Sequence, residues 1–377
     1  MIICSGGCGG TYLRRNVRPC LQALPGTLHD DEQFERSGVV TSMRYDELVT
    51  VVMPVYKGER FVAAAIESVL AQTYQAFELV IVNDGSPDGS AKQIDHFLPH
   101  PKIRYVEQDN QGVAGARNAG IAKGAGDLIA LIDQDDVWLP EKLKRQTSYL
   151  AAHPNVGLLH SRVECIDGRG KSRPCTNAIW VYPFEGMCAS QLLLGNGIAP
   201  LTVVFRRACV DDVGVFDPCF APADDWELWI RIARRYPVGF LDEVTARYRF
   251  HDQNISQDQI KMQHVVLKII ESISDRFPDV RAGVGTEQVA VARSNALRSV
   301  AKALEQRGKH TESRRYWREV SRTSHDIEAS LALYGMRASQ RQRVEQWLAG
   351  SPRLERAIAW YLYKAATGTW RVPKPRR

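Results

Sequence analysis

No uninterrupted apolar run in this 377-residue chain reaches the length that a membrane-crossing helix needs, which disfavours a processive membrane polymerase. The glycine-rich beginning also lacks the apolar segment of a secretory signal, so the expected location is the cytoplasm, with the inner face of the membrane as its limit. A dense basic stripe is missing as well. The 49 Lys and Arg exceed the 43 Asp and Glu by a net +6, much of it near the C-terminal end, which gives no argument for a nucleic-acid partner. The eight cysteines (Cys4, Cys8, Cys20, Cys165, Cys175, Cys188, Cys209 and Cys219) contain no CxxC pair. Neither a zinc site nor a disulfide framework is indicated, and all eight read as reduced thiols. Finally, the loop after the first apolar strand is Pro54-Val55-Tyr56-Lys57-Gly58, without the GxGxxG cradle of a dinucleotide-dependent oxidoreductase.

What is present is a chain that is 44% hydrophobic and long enough for two or three domains. Residues 1–46 show no sustained period and read as a mobile leader. From residue 47 strands and helices alternate: strands at 49–53, 77–82, 103–106 and 127–132, and helices at 61–70, 91–97 and 112–123. A later strand pair is expected at 156–159 and 201–205. Repeated βα units imply an α/β fold with a mainly parallel sheet covered on both faces. After about residue 256 long amphipathic patterns at 260–273 and 287–304 predict a C-terminal helical region over 257–377, a separate appendage rather than a solenoid. Its segment 353–364 sets Trp360, Tyr361 and Tyr363 among basic residues, a mix that suits either peripheral contact with an anionic membrane or docking of a terminal helix on its own domain.

The chemistry concentrates in Asp133-Gln134-Asp135-Asp136, directly after the apolar strand at 127–132. Like charges so close are costly unless a cation or solvent offsets them, and open α/β sheets bind ligands at the carboxyl ends of their strands. A divalent ion, Mg²⁺ or Mn²⁺, would be the offset; an acidic turn and helix cap before the helix near Pro140 is the alternative. If the segment is extended, Asp133 and Asp135 share one side and Asp136 takes the other. Asp84, at the end of the second strand, could accept a hydrogen bond from the imide N–H of a pyrimidine base, or merely brace a turn. Tyr56 could stack on such a base or belong to the core, and Arg117 could meet a diphosphate or be a solvated helix charge. Together these residues describe a nucleotide site.

Four ordered motifs carry a resemblance: Val51-Val52-Met53-Pro54-Val55-Tyr56, Val82-Asn83-Asp84-Gly85-Ser86, Ala116-Arg117-Asn118-Ala119-Gly120 after Gly112, and Leu131-Ile132-Asp133-Gln134-Asp135-Asp136. Over residues 48–255 the chain resembles family 2 glycosyltransferases, inverting enzymes of the GT-A fold that use nucleotide-diphosphate sugars. The resemblance implies a Rossmann-like GT-A catalytic domain at 47–256 and a donor-nucleotide set of Pro54, Tyr56, Asp84, Arg117 and Asp133. It implies Asp135 as principal metal ligand with Asp133, and leaves Asp136 to hold the loop or cap a helix. Ala223-Asp224-Asp225-Trp226-Glu227 resembles the family segment that supplies the catalytic base, commonly Glu-Asp where this chain has Asp224-Asp225. By that match Asp225 is the base, with Asp224 its rival, and a helix N-cap is the structural alternative for either. Tyr248-Arg249-Phe250-His251 resembles the closing segment whose histidine helps bind metal or diphosphate, and a neutral imidazole there would favour Mn²⁺ over Mg²⁺. Arg249 would bind phosphate or brace the loop.

The expected activity is metal-dependent transfer of a sugar from a UDP, dTDP or GDP donor to a glycan or lipid-linked acceptor, in bacterial surface polysaccharide synthesis. The alternative is an inactive sugar-nucleotide-binding protein that serves as an assembly or regulatory subunit. Acceptor choice is assigned to the loops at 168–200 and to the helical region. The abrupt change of composition after residue 42 makes Met43 a candidate start. The intact mass of natively expressed protein should then lack residues 1–42, and their presence would refute the later start.

Overall fold

The computed structural model describes residues 47–175, 181–252, 254 and 258–324. The expected leader, three of the cysteines (Cys4, Cys8 and Cys20) and the aromatic-basic segment 353–364 lie outside the described residues. Among the described residues nine strands form one sheet: β1 (Val49–Val55), β2 (Phe77–Asp84), β3 (Ile103–Gln108), β4 (Leu128–Leu131), β5 (Val137–Trp138), β6 (Leu158–Asp167), β7 (Ser172–Arg173), β8 (Val204–Arg206) and β9 (Val238–Phe250). Between and after them run α1 (Val62–Leu70), α2 (Ser90–Asp95), α3 (Gly112–Lys123), α4 (Lys142–Ala152), α5 (Ala189–Leu193), α6 (Arg207–Val213) and α7 (Asp224–Arg235). The C-terminal helices are α8 (Gln259–Arg276), α9 (Pro278–Val284), α10 (Thr286–Gln306) and α11 (His310–Ser324).

The strand order β3-β2-β1-β4-β8-β6-β9-β5, with β7 beside β6, explains where a site can form. The half built from β3, β2, β1 and β4 is parallel throughout. β1 is wholly buried, as a valine-rich strand covered on both faces must be. β8 then runs antiparallel to both β4 and β6, so β6 points the same way as β4, and β9 is parallel to β6. The carboxyl ends of β1, β2, β4 and β9 therefore meet at one edge. The sheet is mixed, with its long ladders parallel. Helix α1 buries Val62, Ala65, Ile66 and Val69, the spacing of a single apolar stripe. Helix α3 sits close on β1 because Gly120 faces Val52; a Cβ there would lie 2.4 Å from the valine Cγ1.

Three expectations change. The strand β9 replaces an unassigned stretch, and β6 extends well beyond residue 159, because each completes the other in a long parallel ladder. The helical region is present, but its first helices are not a detached appendage: Val265, Ile269, Ile273, Ala292 and Ala296 belong to the same buried cluster as Leu158, Phe205 and Trp229. And Cys165 and Cys175 are joined in a disulfide rather than free, their Cα atoms 5.2 Å apart, because the β6–β7 hairpin folds residue 175 back beside residue 165. Cys188, Cys209 and Cys219 are free thiols.

Lys142 places an ammonium group inside this core. It is fully buried, its ammonium bonded to Gln146 Oε1 and 4.8 Å from the Trp138 ring centre, and burial pushes its pKa well below the usual lysine range. A depressed lysine contributes stability above its unfolded pKa and loses it as pH falls toward its folded one. The Tm of Lys142→Met, relative to wild type, should therefore rise as pH is lowered from about 10 to about 7. A difference that stays flat across that range in thermal denaturation would contradict the shift.

Candidate active site

At the end of β1 the chain turns through Tyr56, whose two backbone groups are both taken by one side chain. Gln134 Oε1 accepts the Tyr56 N–H at 2.6 Å and Gln134 Nε2 donates to the Tyr56 carbonyl at 2.8 Å. Gly58 leaves room for that clasp, since a Cβ would stand 2.7 Å from Gln134 Oε1. The Tyr56 ring is 42% exposed at the sheet edge, which removes the core alternative for it. At the end of β2, Asp84 is buried, and its Oδ1 accepts from Gln108 Nε2 at 2.7 Å and the Gln111 N–H at 2.8 Å.

After β4 the acidic run is not extended. The Asp136 N–H bonds the Asp133 carbonyl at 3.1 Å, closing a turn that sends the three carboxylates in three directions and overturns the simple alternation expected of them. Asp133 Oδ1 lies 3.0 Å from Arg117 Nη2. Asp135 Oδ2 lies 2.7 Å from His251 Nε2 at the end of β9. Asp136 is buried, accepts the Arg249 N–H at 2.9 Å through Oδ1, and among the described residues has no hydrogen-bond partner for Oδ2. Burial first, then Asp135 and Asp133, raise its pKa well above the carboxylate range, against the pull of Arg249. Asp136 thus holds the β9 end and does not cap α4, whose N-cap is Glu141. Arg249 braces the same turn, donating from Nε to the Asp135 carbonyl at 2.8 Å. Its guanidinium and the His251 ring both rest on Phe61.

Arg117 is held between two carboxylates. It is buried, with Nη2 on Asp133 and Nη1 3.1 Å from Asp224 Oδ2, so each terminal nitrogen already donates once to a carboxylate. Burial opposes its charge, but Asp133, Asp224 and Asp225 together raise its pKa. Asp224 and Asp225 open α7, and the N-cap is Ala223 without a side-chain cap bond, so neither aspartate is used as a cap. Asp225 is 7% exposed, and its Oδ2 accepts from Asn196 Nδ2 at 3.1 Å. Burial, with Asp224 next, pushes the Asp225 carboxyl up to about 7, against Arg117, the Trp226 N–H and Asn196. A carboxyl poised near neutrality can take and release a proton at working pH. Two residues of this arrangement were not anticipated. Asn196 lies in Gly195-Asn196-Gly197, a turn-like triplet that gives its only sequence signal, and Asn254 donates to the Arg249 carbonyl at 3.1 Å while accepting the His251 N–H at 2.6 Å.

Among the described residues no group of three or more His, Cys, Asp or Glu is arranged to hold a metal ion. Asp135 and His251 do meet, with their side chains 16% and 7% exposed, whereas Asp133 is turned toward Arg117. One carboxylate and one imidazole suit two positions of a divalent ion whose other positions water and diphosphate oxygens would fill. To that extent the residues fit a metal.

Comparison with known proteins agrees with this architecture. Residues 50–212 match the family described as Glycosyl transferase family 2. The chain is 33% identical over 256 residues to an uncharacterized glycosyltransferase of Nostoc sp., a match covering 63% of this chain and 77% of that protein. It is 29% identical over 221 residues to UDP-Glc:alpha-D-GlcNAc-diphosphoundecaprenol beta-1,3-glucosyltransferase WfgD of Escherichia coli, covering 57% and 82%. A Rickettsia felis glycosyltransferase is 31% identical over 215 residues, 56% of this chain, and the chain spans only 36% of that relative's length. The fold is shared with a Pyrobaculum calidifontis mannosyltransferase solved with GDP-Man and Mn²⁺, at a TM-score of 0.52 and 19% identity over 87% of this chain and 88% of that one. The chain belongs to glycosyl transferase family 2, with a GT-A fold.

Proposed function

We propose that this protein transfers a sugar, with inversion, from a UDP, dTDP or GDP donor to a hydroxyl of a glycan or lipid-linked acceptor. The observation that carries this reading is Asp225: a buried carboxyl poised near pH 7, joined through Asp224 and one guanidinium to Asp133 among the aspartates at the strand edge. The E. coli relative, named as a glucosyltransferase that uses UDP-Glc and a diphosphoundecaprenol-linked acceptor, supports both the donor class and bacterial surface polysaccharide synthesis as the setting.

In this reading Tyr56 offers its exposed ring to the base, and Asp84 offers its second carboxylate oxygen to the imide N–H of a pyrimidine. Asp133 takes the ribose, and Asp135 with His251 holds a divalent ion, Mn²⁺ suiting the imidazole better than Mg²⁺. A bound ion neutralises the charge that develops on the departing diphosphate. Asp225 accepts the proton of the acceptor hydroxyl while that oxygen attacks the anomeric carbon opposite the nucleotide, and Asn196 holds the carboxylate in line for it. One displacement inverts the centre and requires no covalent sugar on the protein. Residues 47–256 would be the catalytic domain, and the helices after 257 would act on acceptor choice.

Two measurements test this. Calorimetric titration with UDP, dTDP and GDP, each with and without Mn²⁺, should give metal-dependent binding of at least one nucleotide, weakened at least tenfold in Asp135→Ala. No binding of any of them by folded protein would favour an inactive scaffold. Nucleotide release from UDP-glucose, dTDP-glucose or GDP-mannose should fall about 10²–10⁴-fold in Asp225→Asn with nucleotide affinity kept. Because the base must be ionised, the wild-type rate should rise with pH through about 7. Full release by Asp225→Asn would remove it as the base.

A further inference from the structure

We propose that Arg117 is a positioning residue for transfer: a single guanidinium grips Asp133 after β4 and Asp224 at the head of α7, ties the donor side of the crevice to the proton-accepting side, and fixes the place of Asp225. This rests on the reading of Asp225 as the base. The geometry is that of a buried strut. Arg117 is 4% exposed and spans two carboxylates that lie 16 and 107 residues away in sequence, at 3.0 and 3.1 Å. Its guanidinium carbon lies 5.4 Å from the centre of the Phe216 ring. That wall is itself fastened to α3, because Asn118 Nδ2 donates to the Phe216 carbonyl at 2.8 Å and Asn118 Oδ1 accepts the Phe216 N–H at 3.0 Å. Asp224 is fully buried, and among the described residues its Oδ1 has no hydrogen-bond partner, so Arg117 supplies the one side-chain hydrogen bond its carboxylate makes there.

The charged groups that act on Asp225 are Asp224 on its own helix, which disfavours ionisation, and Arg117 from α3, which favours it. Asn196, from the loop after α5, contributes a neutral donor. Removing Arg117 should therefore make Asp225 harder to ionise, and removing the charge of Asp224 should make it easier. An Arg117 that merely filled space between α3 and α7 would leave Asp225 unmoved when it is replaced.

The test reads Asp225 directly through stability, without donor, metal or acceptor. A carboxyl raised in the folded state adds stability that is complete below its unfolded pKa and is lost as pH rises through the folded one. The Tm of wild type minus that of Asp225→Asn should thus fall with rising pH and level off near pH 7. The same difference is measured with and without Asp225→Asn in Asp224→Asn and Arg117→Met parents. We expect levelling about one pH unit lower in the Asp224→Asn parent and about one unit higher in the Arg117→Met parent. If Arg117→Met does not fold, Arg117→Gln, which keeps amide donors without the charge, takes its place with the same upward shift expected. Levelling at the wild-type pH in the folded Arg117 parent overturns the proposal, whatever the Asp224→Asn parent shows. Nucleotide release that survives Asp225→Asn would sink the base assignment instead, leaving the titration result readable, so the two failures are distinct.

Discussion

Crowding of carboxylates at one edge of a sheet is the constraint around which this molecule is arranged. Asp133, Asp135, Asp136, Asp224 and Asp225 converge where parallel strands end, and Asp136, Asp224 and Asp225 are buried. Uncompensated, such a cluster would cost several kcal/mol per buried charge. Two arginines oppose that cost: the Arg117 guanidinium bridges Asp133 and Asp224, and Arg249 gives its backbone N–H to Asp136 and its Nε to the Asp135 carbonyl. Within this cluster the remaining cost is seen in raised proton affinities at Asp136 and Asp225, buried carboxyls that, among the described residues, make no arginine side-chain bond. What would be a defect in a purely structural core is what makes a proton acceptor useful at neutral pH.

The topology makes that convergence possible. A purely parallel sheet would deliver β1, β2 and β4 to the edge but would need a helical crossover for each further strand. Inserting the short antiparallel β8 between β4 and β6 restores the original direction in β6 and β9, and so brings Arg249 and His251 to the aspartates. The helices after β9 then close the far side of the same core through Val265, Ile269 and Ile273, so the α7 segment bearing Asp225 is packed between sheet and helical region.

Local signals in the sequence located most of the elements that carry the site. The helix at 112–123 and the strands starting at 49, 77 and 103 were legible because apolar periodicity and glycine punctuation act within a few residues. The acidic run stood out by composition alone. Strand β9 was not legible: its alternation is broken by charged residues from Asp242 to Arg249, and its partner β6 lies about eighty residues away. The same applies to the bridge from Arg117, read from sequence as a diphosphate contact or a solvated helix charge, because nothing near it in sequence announces two distant carboxylates. The Cys165–Cys175 pair was partly legible, since Asp167-Gly168-Arg169-Gly170 between the cysteines is a hairpin turn, with the Arg169 and Lys171 N–H groups both bonded to Asp167 Oδ1 at 2.9 Å. Its ten-residue spacing is not that of a CxxC pair.

The Gln134 clasp on Tyr56 carries a separate implication for how such sites diversify. The residue between the two aspartates is more than a spacer here: its amide bonds the backbone of the loop after β1 and depends on the bare Cα of Gly58. The acidic turn and the loop after β1 are therefore a matched pair: a side chain at position 58 would collide with the Gln134 amide unless residue 134 changed with it. A chimera that exchanges one loop between relatives without its counterpart would inherit a misaligned aromatic platform, although every residue of the acidic motif itself was kept.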